Sequence, residues 1–435
     1  MLAHTAYRHL AGFVLLAACA LTMNASGQGY ICAEGGGNPG KGNWAEEVFG
    51  WMVEKGAKGG VVIIGAVPIE NDERPALFTR LGASSVTSLV VTQENADSPD
   101  VEETIRNASI VFIRGGDQSR YVNWWTGTKT QKAIKFVYEK GGVIAGTSAG
   151  CAVLGEITYD ARHGGLSPHD ILHDARHPDL TLTADFLGFS PGILYDTHFT
   201  ERGRLPRLAA MLAACALDLK REIVGLGVDP RTAVCVDPNG MAEIRGEGTV
   251  TMLRITDSTV AELEPGSPPS VVGLAYSQWP AGYVVDLNSK TVVKRPEFVK
   301  HVLSEQWPRT FGEATPMRID GGGAGDPIRY QSNVCIISRV WTGKAVSDAM
   351  HAGQMWVSSV PGAQAFYLDE GAALTVDKDF KVLVACTGEK PRSVVLLRGA
   401  GMQWAGISPT EKPAIEEATL DIVQACAPDK PEAKP

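Results

Sequence analysis

From Gly60 onward, short β-branched runs alternate with stretches of helical period. "GGVVIIGAV" (59–67), "SSVTSLVVT" (84–92) and "SIVFIRGGDQ" (109–118) are followed by the helix-like "KTQKAIKFVYEK" (129–140), and then by "GGVIAG" (141–146). Apolar runs without alternation, joined through helices, predict strands buried on both faces of a mostly parallel sheet, hence an α/β domain. The pattern continues with "GILYDTHF" (192–199), a helix in "LPRLAAMLAACALDLK" (205–220), and "EIVGLGVD" (222–229). "TAVCVDPNGMAEIRG" (232–246) reads as a hairpin turned at Asn239-Gly240. Two Pro/Gly-rich joints, "EPGSPPS" (264–270) and "DGGGAGDP" (320–327), precede the strand-like "NVCIISRVW", "QMWVSSV", "FKVLVAC" and "SVVLLRG". The expected organisation is an α/β domain over 28–262, a linker or extension over 263–330, a smaller α+β or β-rich domain over 331–426, and a solvated tail over 427–435.

The first 27 residues read as an export leader: Arg8 and two histidines precede the apolar "LAGFVLLAACALTM", too short to span a bilayer comfortably. Within it "LAAC", ending at Cys19, has the form of a bacterial lipobox, which would make Cys19 a lipid anchor. Cleavage near "NASGQ" is the alternative. The expected location is therefore periplasmic, extracellular or lipid-anchored at the cell envelope. A net charge of −9 without a long Lys/Arg block argues against nucleic acid as a partner. Setting Cys19 aside leaves seven of the eight cysteines, an odd number. Cys151 and Cys215 sit in apolar runs as expected core residues, and Cys386 with Cys426 is the candidate late bridge.

Chemistry concentrates around Ser148. "GGVIAGTSAGCAVLGE" (141–156) puts it in a G-x-S-x-G match, after an apolar strand and before a small-residue helix. A nucleophile elbow needs that context, and the helix start aims free N–H groups at developing negative charge. A Gly-rich loop is the plain alternative. Among His163, His169, His173, His177 and His198, only His198 falls at the carboxyl end of an expected strand, the sheet edge where open α/β folds place their sites. His169, His173 and His177 share an i, i+4, i+8 spacing, but Pro168 and Pro178 bracket them, so a polar loop is preferred to a metal site. Neither metal nor cofactor is expected.

"RGGDQ" (114–118), "GTSAG" (146–150), "DTHFTERGRLPRL" (196–208) and "GLGVDPRTAV" (225–234) resemble, in order and spacing over residues 30–255, the four signature blocks of the cyanophycinases. These serine exopeptidases are grouped with aspartyl dipeptidase E and are similar in fold to class I glutamine amidotransferases. The resemblance implies Ser148 as nucleophile, His198 as base, an oxyanion hole from the N–H groups of Ala149 and Gly116, and Gln118 in the substrate pocket. It places Asp196, Arg202, Arg204 and Arg207 around the charged groups of an aspartyl peptide or cyanophycin-like polymer. Arg forks suit carboxylates and Asp196 suits a guanidinium or amine. The oligomeric state is left between monomer and homodimer.

One block departs from the family. Where its members carry a glutamate that orients the histidine, this chain has Pro230, and Asp229 beside it is the expected substitute, with Asp237, Glu222 and Glu201 as weaker ones. The rival to a hydrolase is therefore a degenerate protein that binds acidic peptides without turning them over.

Overall fold

The computed structural model describes residues 28–40, 42–184 and 186–299, and beyond them 317–320, 328–331, 334–338, 346–359, 362–368, 372–376, 382–386, 392–399, 405–408 and 410–425. Residues 1–27 with Cys19, expected as a leader, together with Cys426 and residues 427–435, lie outside the described residues.

The first sheet holds five parallel strands in the spatial order Ser85–Val90, Gly60–Gly65, Ile110–Ile113, Val143–Thr147, Tyr30–Glu34. "IVFI" and "VIAGT" are buried at every position, as central strands of an α/β sheet must be when helices cover both faces. Beyond Tyr30–Glu34 the sheet turns antiparallel through Thr232–Val236, Met241–Gly246, Val284–Asp286 and Thr291–Lys294. The hairpin between Thr232–Val236 and Met241–Gly246 turns at Asp237–Gly240, where Gly240 has φ +83° and its N–H donates to the Asp237 carbonyl at 3.0 Å.

The second sheet starts at Ile193–Thr197, runs through Val224–Val228, Thr249–Arg254 and Ser270–Pro280, and continues without a break into Pro413–Ala425, Arg392–Gly399, Gln364–Leu368, Val334–Ser338 and Ile328–Gln331. Hydrogen bonds thus cross the boundary expected at residue 262. Ser270–Pro280, which lies within the segment expected as a linker, is a central strand paired on both sides. Left unpaired, its apolar Val271, Leu274 and Tyr276 would form a long exposed edge, and Pro413–Ala425 covers it.

"QMWVSSV" is expected as a strand, but its described residues, 354–359, lie instead in the helix Val346–Ser359. Its Val and Trp content favours a strand locally. However, Val334–Ser338 and Gln364–Leu368 are parallel, so the chain between them must cross over, and it does so as a helix burying Met350, Gln354 and Val357.

Three apolar clusters hold these layers. One fills the space between the two sheets, from Ile31 and Ile144 to Leu226, Met252 and Trp279. A second packs the helix Leu205–Ala214 and Val346–Ser359 on the outer face of the second sheet. A third packs the helix Trp44–Lys55 on the first sheet. Cys151 and Cys215 are buried free thiols within these cores. No described helix is long and apolar enough to cross a membrane.

Candidate active site

Ser148 follows the strand Val143–Thr147 and caps the short helix Ala149–Ala152 with φ 51°, ψ −116°. A residue with a Cβ held at positive φ stores strain on the order of 1–3 kcal/mol, and elbows tolerate it because it projects the nucleophile away from the turn. The flanking glycines are required by close approach: a Cβ on Gly146 would come 2.2 Å from the Gly150 carbonyl oxygen, and one on Gly150 would come 2.1 Å from that of Ile113.

His198 follows Ile193–Thr197, also at positive φ, 47°. Its Nε2 lies 3.0 Å from Ser148 Oγ, and its Nδ1 lies 3.0 Å from Glu201 Oε2. A carboxylate can only accept, so Nδ1 carries the proton and Nε2 is left to accept from the serine hydroxyl. The two sheets meet here, each supplying one member of the pair from a strand end.

The acid at His198 is therefore Glu201, and Asp229 is not available for that task. The Asp229 carboxylate is fully engaged: Oδ1 accepts from Thr200 N at 2.8 Å, while Oδ2 accepts from Thr249 N at 3.0 Å and Thr249 Oγ1 at 2.7 Å. It secures the turn Thr200–Arg202, and Glu201 sits in the middle of that turn. Burial lowers the pKa of His198 below its usual value, and Arg202 and Arg204 push the same way, while Glu201 opposes them.

A feature the sequence did not flag is the loop Glu34–Gly37. Ser148 N donates to the Glu34 carbonyl at 3.0 Å and His198 N donates to the Gly35 carbonyl at 2.8 Å, so consecutive peptide units hold both positive-φ residues. A Cβ on Gly36, itself at φ +115°, would lie 2.5 Å from the imidazole Nε2. The available signal is three glycines in a row directly after a strand. The buried Glu34 carboxylate accepts from Thr147 Oγ1 at 2.8 Å, and burial raises its pKa to about 7 despite Arg74 and that bond.

Gly115 and Gly116 lie over the elbow: a Cβ on Gly115 would approach Ser148 Cβ to 3.2 Å, and Tyr121 OH donates to the carbonyls of Arg114 and Gly115, fixing the loop. The N–H groups of Gly116 and Ala149 have no acceptor among the described residues. Gln118 opens the helix Gln118–Trp125, with Nε2 donating to the Tyr159 carbonyl at 3.4 Å.

The charged block separates into two parts. Asp196, Arg204 and Arg207 face one another: Arg207 Nε donates to Asp196 Oδ2 at 3.0 Å, its NH2 group pairs with Oδ1, and Arg204 NH1 lies 3.4 Å from Oδ1. Arg207 also donates to the Leu166 carbonyl at 2.8 Å and stacks over Tyr159. Burial raises the Asp196 carboxyl, but Arg207 and Arg204 outweigh it and hold the group below the usual carboxylate range. Asp196 and Arg207 are thus a buried ion pair, whereas the resemblance implies that they face the substrate. Arg202 is exposed and has no ion pair among the described residues. Its effect on His198 places its charge at the site.

The three-histidine face does not form. The helix Pro168–His173 ends before His177, whose Nδ1 accepts from Asp179 N at 3.2 Å. No group of three His, Cys, Asp or Glu side chains among the described residues is arranged to hold a metal.

Residues 68–241 match the family model described as Peptidase family S51. The chain is similar to a cyanophycinase of Nostoc sp., 30% identical over 42% of this chain and 58% of that protein, and to one of Geminocystis herdmanii, 30% identical over 42% and 64%. It therefore spans less than two thirds of these relatives' length. A solved peptidase from an acI-B1 Actinobacterium superposes at a TM-score of 0.41 and 20% identity, covering 60% of this chain and 98% of its own.

Proposed function

We propose that this chain, whose core is that of the cyanophycinase and peptidase E-like family, is a serine-type peptidase acting on aspartyl peptides of the β-Asp-Arg kind. The observation that supports this most is the contiguous series Ser148 Oγ, His198 Nε2, His198 Nδ1, Glu201 Oε2, with both contacts at 3.0 Å.

In acylation, Ser148 Oγ attacks the peptide carbonyl carbon while its proton passes to His198 Nε2. The oxyanion forms against the N–H groups of Gly116 and Ala149, and Glu201 steadies the imidazolium. Collapse breaks the C–N bond, with His198 returning the proton to the leaving amine. Water, deprotonated by the same nitrogen, then releases the acyl group and regenerates the serine. Burial lowers the His198 pKa, so its base form persists to lower pH than that of an ordinary histidine.

Arg202 is the guanidinium left to take a substrate carboxylate, since Arg204 and Arg207 are committed to Asp196. Arg202→Ala is expected to raise KM for an aspartyl peptide about tenfold with kcat little changed. Removing this cation also raises the His198 pKa, so the acid limb of kcat/KM moves to higher pH. An unmoved KM and an unmoved limb would count against the assignment.

An activated serine reacts with a fluorophosphonate probe. Wild type is expected to label and Ser148→Ala not to label. Equal labelling of both, or of neither, supports the acidic-peptide binding protein instead. The leader sequence suggests export and the "LAAC" run suggests acylation at Cys19. Metabolic labelling with a fatty-acid analogue in a bacterial host, lost in Cys19→Ser, tests the anchor.

A further inference from the structure

A cleft of about 340 Å³ opens beside the turn Thr200–Arg202, bordered by Glu201, Asp229, Gln278, Asp348, Gln354 and Lys412. Ser148 and His198 do not line it. Its roof is the helix Val346–Ser359, which packs on the turn Thr200–Arg202.

A directed hydrogen-bond chain runs along the cleft wall. Thr249 Oγ1 donates to Asp229 Oδ2, so it must accept from Gln278 Nε2, which lies at 2.8 Å. The Gln278 carbonyl then faces Tyr276 OH, which donates to it at 2.5 Å. With its one proton spent, Tyr276 OH can only accept, and Gln354 offers Nε2 at 3.2 Å. The sense of each amide is thereby set by the carboxylate at the end of the chain. Gln354 Oε1 is left as a buried acceptor with no partner among the described residues, on a residue 1% exposed. The Thr200 hydroxyl on the same wall is also unpaired among the described residues. Buried polar groups left unsatisfied carry their desolvation penalty, and a ligand that donates to them recovers it.

The charge around the cleft favours a cation. Glu201, Asp229, Glu247 and Asp348 face it against Arg231 and Lys412, and Arg231 is taken by Glu247 at 2.7 Å. His351 adds little positive charge near neutrality, because burial, with Lys412 beside it, holds its pKa below the usual value. The volume suits a small molecule.

We propose that this cleft is a second binding site, for a small cation bearing a guanidinium or primary ammonium group that donates to Gln354 Oε1 and pairs with Asp348 and Glu201. The same wall reaches the catalytic turn, since Asp229 Oδ1 accepts from Thr200 N, next to Glu201. Occupancy therefore bears on the carboxylate that orients His198.

The test is isothermal titration calorimetry on the full chain with methylguanidinium and methylammonium chloride, and with sodium acetate as the anion control. Saturable binding of a cation is expected, equal in wild type and Ser148→Ala, and weakened about tenfold in Asp348→Asn and in Gln354→Leu. Asp348 is exposed, so its variant keeps the test informative if Gln354→Leu does not fold. Absence of saturable cation binding, binding of acetate alone, or affinity unchanged in Asp348→Asn would overturn the site. Binding is read without turnover, so a failed hydrolysis assay leaves this result independent.

Discussion

Glu201→Gln is expected to lower kcat/KM by roughly 10²–10⁴-fold, because the amide no longer selects the tautomer in which Nδ1 carries the proton. The carboxylate side chain is 55% exposed, so its direct charge effect is screened by solvent, and orientation carries most of the loss. The pH profile separates the two contributions. Glu201 raises the His198 pKa, so removing its charge shifts the acid limb of kcat/KM to lower pH while the plateau falls. Asp229→Asn supplies the contrast. It disturbs the bonds to Thr200 and Thr249 that hold the turn, and it should reduce stability without the same shift of the limb. A Glu201→Gln enzyme within threefold of wild type, with its limb unmoved, would remove Glu201 from the mechanism and return the question to an unoriented histidine.

Arg207→Leu is expected to destabilise the fold by about 3–5 kcal/mol, because it leaves the buried Asp196 carboxylate short of its principal partner. Arg207 holds both Asp196 oxygens, the Leu166 carbonyl and the Tyr159 ring. Chemical denaturation should therefore show a lower midpoint, in contrast to the KM effect expected of Arg202→Ala. The sign with pH follows from Asp196, whose carboxyl is held below the usual range in the fold. Its contribution is fully present above the unfolded value of about 3.9 and is lost as the pH falls through the lower folded value. A stable Arg207→Leu protein with a raised KM would make Arg207 a substrate ligand after all.

The two kinds of arginine illustrate what a sequence can and cannot convey. Arg202, Arg204 and Arg207 occur at alternate and third positions in one polar block, and nothing in that spacing separates the exposed guanidinium from the buried one. The separation is made by Asp196 at the start of the block and by Leu166 and Tyr159, which come from elsewhere in the chain. The acid is a similar case. Glu201 lies three residues after His198, a spacing that brings two side chains together only on a helical turn. Here the turn exists because His198 takes φ 47° and Asp229 anchors Thr200. Asp229 looked nearer the family position, but two threonine donors claimed it.

Local signals were sufficient for the elbow, the strand before His198 and the hairpin at Asn239-Gly240, because each depends on neighbours within a few residues. The sheet beyond residue 262 was not legible. Ser270–Pro280 pairs with Pro413–Ala425 across more than a hundred residues, and residues 354–359 are helix because two parallel strands required a crossover.

By itself, then, the sequence determined the parallel α/β core and the strained glycine-flanked turn at Ser148, since buried strands and positive-φ elbows impose their composition locally. Only the tertiary structure decided which carboxylate reaches His198, which arginine has no ion pair among the described residues, and how the carboxyl-terminal strands extend the second sheet while the helix Val346–Ser359 packs on the turn Thr200–Arg202. Those outcomes depend on side-chain direction and on competition among donors from distant segments, and neither is encoded in spacing along the chain.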